Sequence, residues 1–252
     1  MFRLVHISDI HIGESAKTDA NAVALVNYII ENFPADTVVV ITGDLVHYGT
    51  PGGYETLRET VLTPLRQKFT VLTCPGNHDY CTNWLGSRLS EESVERYRET
   101  TGDGPFPHVH VVEGEGTALI GMDSSDPNDK AWLAGGLIEG WQVDRLKGIL
   151  AEHADKLRIV YFHHHPFAFR LAMFMWGSSA LLRAMALHGV RAAIFGHRHW
   201  SQMFRDTRGV PLMLSSRKST KPRWFSGGKL SFRVLEIDGG DVARVYAEEF
   251  KP

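Results

Sequence analysis

Cysteine is scarce in this sequence, long apolar runs are missing, and neither sign of charge predominates. The 252 residues include two cysteines, Cys74 and Cys81. Two thiols are too few for a disulfide framework, which favours a reducing compartment. No apolar run reaches the ~18 residues that a membrane span needs. The first residues, MFRLVHISD, show no signal-peptide pattern, so we expect a cytoplasmic protein without a membrane span.

The charge balance limits the partners that the chain can bind. The formal net charge is -2, from 27 Lys and Arg against 29 Asp and Glu. Proteins that hold long nucleic acids by neutralising phosphates usually present a basic face, so no long nucleic-acid partner is expected. The local basic run RKSTKPR (217–223) leaves short oligonucleotides open as ligands.

Short β-branched runs alternate with segments of helical periodicity, which predicts an α/β fold. We predict a further antiparallel run of strands over 210–250, with a hairpin at Gly239-Gly240. No internal repeat or clear linker interrupts the chain, so we expect one domain over residues 1–252. The pattern predicts strands at 2–8, 36–42, 69–74, 157–163 and 191–196, and helices at 19–33, 54–68, 90–101 and 140–154.

Histidine is the most conspicuous residue type, with 13 copies, and many of them follow predicted strands. In open α/β sheets, ligands bind beyond the carboxyl ends of the strands. Each short motif alone is weak, because a Gly-Asp pair is more often a simple turn. Their joint occurrence after five strands is not expected of a structural protein. The five strand ends read Asp9-Ile10-His11, Thr42-Gly43-Asp44, Gly76-Asn77-His78-Asp79, His163-His164-His165 and Gly196-His197-Arg198-His199.

The spacing within these segments indicates metal binding. In an extended chain, residues i and i+2 point to the same side, so Asp9 and His11 can face one ion, and so can His197 and His199. Carboxylate, amide and imidazole donors suit Mn²⁺, Fe²⁺ or Fe³⁺, Zn²⁺ or Co²⁺. The donors are too many for one ion and are suitable for two, about 3.5–4 Å apart.

A glycine precedes Asp44, Asn77 and His197 in the sequence. A residue without a Cβ lets the backbone turn sharply or approach the site closely. We therefore expect each of these glycines to be required by the geometry of the site.

Five segments resemble, in order, the signature blocks of the calcineurin-like metallophosphoesterases. The resemblance extends from residue 9 to residue 199. It implies a four-layer αββα sandwich, in which two mixed β-sheets are flanked by helices, and it implies two bound transition-metal ions. The segments are Asp9-x-His11, Gly43-Asp44, Gly76-Asn77-His78-Asp79, His164-x-Pro166 and Gly196-His197-x-His199.

The resemblance also implies a role for each residue of these blocks. Asp44 would bridge the two metals. His78 would bind no metal and would serve the phosphate and the leaving oxygen, and Asp79 would orient its imidazole. The implied reaction is phosphoester hydrolysis by attack of a metal-bound hydroxide. The implied ligands are Asp9, His11, Asp44 and His199 for the first metal, and Asp44, Asn77, His164 and His197 for the second.

The chain after the third block is similar to the branch of the family that contains cyclic-nucleotide and glycerophosphodiester phosphodiesterases. The similarity rests on Asp123-Ser124, Gly136-Leu137 and Gln142, and it implies a small-molecule phosphodiester substrate. His47 stands where that branch commonly has an acidic residue, which could change the pH behaviour or the substrate fit; it is also a candidate contact to a substrate phosphate. By the His-x-Pro spacing, His163 and His165 are expected to point away from the metals.

Two segments, 80–108 and 166–182, are candidates for a lid or rim over the metals. Trp84 and Arg170 within them are candidate substrate contacts. The second segment could equally pack on the core or form a homodimer contact. Its residues Phe167, Leu171, Phe174, Met175 and Ser178 fall on one face if it is helical.

Other functions remain open at this point. A nuclease acting on short oligonucleotides, a phosphomonoesterase and a lipid-derived phosphodiesterase share the same metal chemistry. A metal-free interaction scaffold would be expected to have lost some of the ligand blocks, and none is broken here.

Overall fold

The described part of the chain, residues 1–82, 91–126, 134–167, 173–223 and 226–252 of a computed structural model, contains thirteen β-strands and six α-helices. A π-helical turn, Arg58–Leu62, joins the second helix to the third. The helices are α1 (Ala16–Asn32), α2 (Pro51–Leu57), α3 (Thr63–Arg66), α4 (Glu91–Thr101), α5 (Gly140–Glu152) and α6 (Ser178–Leu187).

The first of two large sheets has five strands in the order β13-β12-β1-β2-β3. Its β1, β2 and β3 are parallel, whereas β12 is antiparallel to both β1 and β13. The three parallel strands therefore end at the same edge. The strands are β1 (Phe2–Ile7), β2 (Val38–Thr42), β3 (Thr70–Cys74), β12 (Leu230–Asp238) and β13 (Asp241–Phe250).

The second large sheet has six strands in the order β10-β11-β9-β7-β5-β4. Its four central strands are parallel, and the two outer strands are antiparallel to their neighbours. Two short strands, β6 (Gly136–Leu137) and β8 (Met175–Trp176), pair separately. The strands of the second sheet are β4 (His108–Val112), β5 (Thr117–Gly121), β7 (Leu157–Tyr161), β9 (Ala192–Phe195), β10 (Gln202–Thr207) and β11 (Val210–Ser215).

Alternate residues of the second sheet belong to two different cores. On β7, Ile159 and Tyr161 pack between the sheets, whereas Val160 packs beneath α5 and α6. This period of two is the strand geometry itself. Because both faces are covered, the parallel strands are apolar along most of their length.

Helices cover the outer faces of both sheets. Ser15 caps α1 by accepting from Thr18 N at 3.2 Å, and α1 buries Ala22, Leu25 and Ile29 in the same core as the first sheet. That spacing is the apolar stripe of an amphipathic helix. The helices α5 and α6 lie over the second sheet. The predicted fold, a four-layer αββα sandwich, is confirmed.

The prediction of one antiparallel run over 210–250 was wrong. Only β12 and β13 form a hairpin, which turns at Gly239 and Gly240. β11 instead lies inside the second sheet, parallel to β9. Its residues are largely buried on both faces, so hydrophobicity alone could not reveal which sheet it joins.

The predicted helical face over 166–182 was also wrong for its described residues. Met175 and Trp176 form β8, and helix α6 begins at Ser178. The carbonyls of Phe174 and Trp176 accept backbone hydrogen bonds from Gly136 and Ile138. This pairing joins segments remote in sequence and cannot be inferred from local periodicity. Within the described ranges, no helix is long and apolar enough to cross a membrane.

A buried arginine ties the two sheets together. Arg233 of β12 donates from Nε to the Ser215 carbonyl at 2.7 Å and from Nη2 to the Gln202 carbonyl at 2.9 Å. These two acceptors belong to β11 and β10 of the second sheet.

We expect Arg233→Met to lower the free energy of unfolding by about 2–4 kcal/mol, because two carbonyls lose donors that carry a positive charge. Urea unfolding measures this change. The control, Arg205→Met, replaces an exposed arginine of β10 and should stay within about 0.5 kcal/mol of the parent. Equal stability of the two variants would contradict the role given to Arg233.

Candidate metal centre

The predicted metal-binding residues gather where the carboxyl ends of the two sheets meet. The first sheet contributes four donors and the second contributes three. Asp9 and His11 follow β1, Asp44 follows β2, Asn77 follows β3, His164 follows β7, and His197 and His199 follow β9.

One group of donor atoms consists of Asp9, His11, Asp44 and His199, which all lie within 4.8 Å of one another. His199 Nε2 is 3.3 Å from Asp9 Oδ1, and His11 Nε2 is 3.5 Å from Asp44 Oδ2. The carboxylates and His11 are buried, and His199 is partly exposed. These are the four residues that the sequence predicted for the first metal.

A second group consists of His163, His164 and His197, whose donor atoms also lie within 4.8 Å of one another. Nε2 of His164 and Nε2 of His197 are buried and have no hydrogen-bond partner. His164 Nδ1 lies 2.9 Å from Ser124 Oγ. A buried ring nitrogen without a protein partner is the form that a metal-binding histidine takes before the ion is added.

Asp44 joins the two groups. Its Oδ2 lies near His11 of the first group and 3.4 Å from His163 Nε2 of the second. Its Oδ1 accepts from the backbone N–H of His78 at 3.0 Å. Burial opposes ionisation of Asp44, but the neighbouring His163 and His78 hold its pKa well below the usual range. Asn77 is buried in the same loop as His78.

At His163 the charge of Asp44 outweighs burial and raises the pKa to about 9. Burial keeps the other three buried histidines, His11, His164 and His197, neutral. It lowers the pKa of His11 to about 3, and it holds the pKa values of His164 and His197 well below their ordinary range. Neutral imidazole is the form that coordinates a metal. The donor set therefore fits transition-metal ions.

The backbone at five of the seven donors is left-handed, not extended as the spacing argument assumed. Such values cost non-glycine residues on the order of 1–3 kcal/mol each and concentrate at functional sites. Backbone hydrogen bonds from Asp9 N to Gly43 O and from His11 N to Asp44 O hold two of these loops together. The positive φ angles are 54° at Asp9, 51° at His11, 51° at Asp44, 76° at His197 and 56° at His199.

Two of the glycines in the signature blocks are required by close approach. A Cβ at Gly76 would lie 2.6 Å from the Asp44 backbone nitrogen, and one at Gly196 would lie 2.7 Å from Asp9 Oδ2. Each contact is too short for a carbon atom. The geometry thus supports the predicted role of these glycines.

His78 and Asp79 do not form the pair that was expected. His78 Nδ1 lies 2.8 Å from the His47 carbonyl. Asp79 instead accepts backbone hydrogen bonds from Leu45, Val46 and Gly76. The prediction that Asp79 orients the imidazole was wrong, because its carboxyl oxygens face backbone N–H groups of the loops after β2 and β3 and not the His78 ring.

Of the predicted substrate contacts, one lies among the described residues. The rings of His47 and His78 are stacked, with centroids 5.2 Å apart, and His47 forms a cluster with His11 and His78. Trp84 and Arg170 lie outside the described residues.

His163 was missed by the sequence reasoning. It was expected to point away from the metals, but Nε2 lies 3.2 Å from His197 Nδ1 as well as near Asp44. His163 continues the alternation of Ile159 and Tyr161, which both pack between the sheets. This alternation was the available signal. His165 Nε2 contacts Gln202 Oε1 at 3.2 Å and packs on Phe195.

Two residues of the pattern that resembles the phosphodiesterase branch, Ser124 and Gly136, border His164. Ser124 Oγ contacts its ring, and a Cβ at Gly136 would lie 2.6 Å from its Cγ. The pattern that suggested the phosphodiesterase branch therefore lies beside the candidate metal centre.

The described chain is thus a two-sheet sandwich with carboxylate and imidazole donors at the shared edge of its sheets. The family model described as calcineurin-like phosphoesterase matches residues 2–201. The chain belongs to this family, and the resemblance predicted from the sequence is confirmed.

The matched relatives include phosphodiesterases. The chain is 30% identical over 174 residues to glycerophosphodiester phosphodiesterase GpdQ of Enterobacter lignolyticus, covering 65% of this chain and 56% of the relative. It is 24% identical over 275 residues to 3',5'-cyclic adenosine monophosphate phosphodiesterase CpdA of Haemophilus influenzae, covering 100% and 93%. The chain spans between 56% and 62% of the length of the first three curated relatives.

A solved structure shares the fold. A dimetal phosphatase from Danio rerio superposes with a TM-score of 0.70 at 16% identity, covering 98% of this chain and 95% of that one. At that identity the likeness shows the fold alone.

We expect Gly196→Ala to weaken metal binding by at least tenfold, because its Cβ would overlap Ser8 Oγ and displace the Asp9 carboxylate. Calorimetric titration of the metal-free protein with Mn²⁺ measures this change. The control is Gly148→Ala in α5, where no atom lies within 4 Å of the added carbon, and its affinity should equal that of the parent. Unchanged binding in Gly196→Ala would contradict the crowding at Asp9.

Proposed function

We propose that this chain hydrolyses small-molecule phosphodiesters, such as cyclic nucleotides or glycerophosphodiesters, with two transition-metal ions. The observation that carries the proposal is the pair of donor groups joined by Asp44. A single structural ion would need about four donors, whereas two donor groups with a carboxylate between them suit a binuclear centre.

The proposed ligands follow the predicted division. Mn²⁺, Fe²⁺ or Fe³⁺, Zn²⁺ and Co²⁺ all accept this mixture of oxygen and nitrogen donors. Asp9, His11, Asp44 and His199 would hold the first ion, and Asp44, Asn77, His164 and His197 the second.

When bound, the two ions would lower the pKa of a water and withdraw charge from the phosphoryl oxygens. The chain supplies the leaving-group chemistry. The His47 carbonyl can only accept, so Nδ1 of His78 carries a proton and the ring is held in place. In the imidazolium form, Nε2 is then the atom that delivers a proton to the leaving oxygen. Asp79 supports this arrangement indirectly by holding the loops that carry Asp44 and His78.

The names of the relatives support a diester substrate. Both a glycerophosphodiester phosphodiesterase and a cyclic-nucleotide phosphodiesterase align with this chain. In the pattern that resembles this branch, Ser124 contacts the His164 ring and Gly136 lies beside it. A phosphomonoester or a lipid-derived diester would use the same centre, and the substrate test below includes a monoester.

The nuclease alternative is less well supported. Within the basic run 217–223, Lys218 is buried and its Nζ lies 2.6 Å from Glu14 Oε2. That cation is therefore not presented to a phosphate backbone, which weakens the case for an oligonucleotide groove. A metal-free scaffold is disfavoured because the donors are brought together and left without competing protein partners at His164 and His197.

We infer that residues 1–252 form one domain, since the central core contains residues of both sheets. A rim from 80–108 and 166–182 remains part of this proposal, as do a homodimer contact and a cytoplasmic location. In the first segment, Tyr97 and Phe106 are buried in that core, so its later half packs on the sandwich.

A substrate panel with added Mn²⁺ tests the proposal. It compares bis(p-nitrophenyl) phosphate, p-nitrophenyl phosphate, cyclic nucleotides and glycerophosphodiesters. The expected result is turnover of diesters with a higher kcat/KM than the monoester, lost on chelation. A higher kcat/KM for the monoester would show that the protein is a phosphomonoesterase and not a phosphodiesterase. No turnover of any substrate with two ions bound would refute the proposed function.

We expect His78→Ala to retain both ions and to lower kcat by a factor on the order of 10² to 10⁴, because it removes the proton donor. Metal analysis and steady-state kinetics on the same sample measure both effects. The control is His153→Ala, at the end of α5, which should match the parent in both. Loss of an ion from His78→Ala would show that His78 is a ligand instead.

A further inference from the structure

His163 lies outside the predicted ligand set yet contacts two of its members. We propose that His163 is a positioning residue that sets the separation of Asp44 from His197, and through it the affinity for the second ion. The inference rests on the proposed function, because it concerns the metal centre of that activity.

The orientation of the His163 ring is fixed by the first sheet. The side chain is fully buried, and Nδ1 lies 2.8 Å from the carbonyl of Thr42, the last residue of β2. A carbonyl oxygen only accepts, so Nδ1 carries the proton of this hydrogen bond. The opposite nitrogen, Nε2, therefore points towards the metal centre.

Nε2 reaches donors from both sheets. It lies 3.4 Å from Asp44 Oδ2, which follows β2, and 3.2 Å from His197 Nδ1, which follows β9. His163 itself follows β7. The ring thus spans the junction of the two sheets and touches a carboxylate on one side and an imidazole on the other.

The surrounding backbone leaves a slot for this ring. A Cβ at Gly43 would overlap Nδ1 of His163, and one at Gly76 would lie 2.9 Å from its Cδ2. Both glycines belong to the signature blocks, where Gly43 directly precedes Asp44 and Gly76 directly precedes Asn77. The lack of a Cβ at these two positions therefore leaves room for the His163 ring as well as for the metal ligands.

The affinities for the two proposed ions should depend to different degrees on how the two sheets are positioned. Three of the four donors proposed for the first ion come from the first sheet, whereas the second ion takes two donors from each sheet. A contact that fixes the distance between Asp44 and His197 therefore affects the second ion most. Partners that orient metal ligands typically contribute a factor of about 10 to 100 in metal affinity.

The test is calorimetric titration of metal-free protein with Co²⁺. We expect His163→Leu to weaken the second binding step about 10- to 100-fold and to leave the first within about threefold. His163→Gln places a polar atom where Nε2 was and should restore most of the affinity. The matched control, His165→Leu, replaces a buried histidine that contacts Gln202 and should leave both steps unchanged.

The visible spectrum of the Co²⁺-saturated protein separates positioning from ligation. A positioning role predicts the same spectrum for His163→Leu and the parent at saturation. A spectrum showing one nitrogen ligand fewer would make His163 a ligand and overturn the proposal, as would an unchanged second affinity. Failure of the parent itself to bind two ions would instead refute the proposed function.

A measurement on the unaltered protein does not depend on whether the variants fold. With Zn²⁺ bound, proton NMR should show a slowly exchanging Nδ1 proton on His163, protected by its bond to Thr42. A His163 ring protonated at Nε2 alone would overturn the proposed orientation.

Discussion

Burial of two carboxylates at the junction of the sheets is the constraint on which the rest of the site depends. Asp9 and Asp44 are removed from water. Burial lowers the pKa of the facing His11 and His164, whereas at His163 the charge of Asp44 outweighs burial and raises the pKa to about 9. Two hydrogen bonds from Ser8 Oγ and His197 N reach Asp9 Oδ2. An unpaired buried charge is costly. Cations between the carboxylates and imidazoles would remove that cost.

The protein maintains this arrangement through its backbone. Left-handed residues after β1, β2 and β9 aim the donors inward, and hydrogen bonds between the loops after β1 and β2 extend the strand pairing beyond the sheet. Asp79 adds three bonds to backbone N–H groups of neighbouring loops. The strain is therefore distributed over a framework of hydrogen bonds between protein groups.

Sequence reasoning located the donors because they occupy the same place in each strand. The strands β1, β2, β3, β7 and β9 were placed to within two residues, and parallel strands must end at a common edge. The sheet membership of β11 and the pairing of β8 were missed, since both depend on partners distant in sequence. The roles of Asp79 and His163 were missed for a related reason. Each depends on which backbone groups face it across a loop or a sheet, and no linear pattern records that.

The division of donors between the sheets has a mechanical consequence. A small slide of one sheet over the other would move most of the ligands proposed for the first ion together, but it would separate the ligands proposed for the second. Mild loosening of the central core, by heat or denaturant, would then release one cation well before the chain unfolds. Partial demetallation would thus act as an early sign of damage to the sandwich.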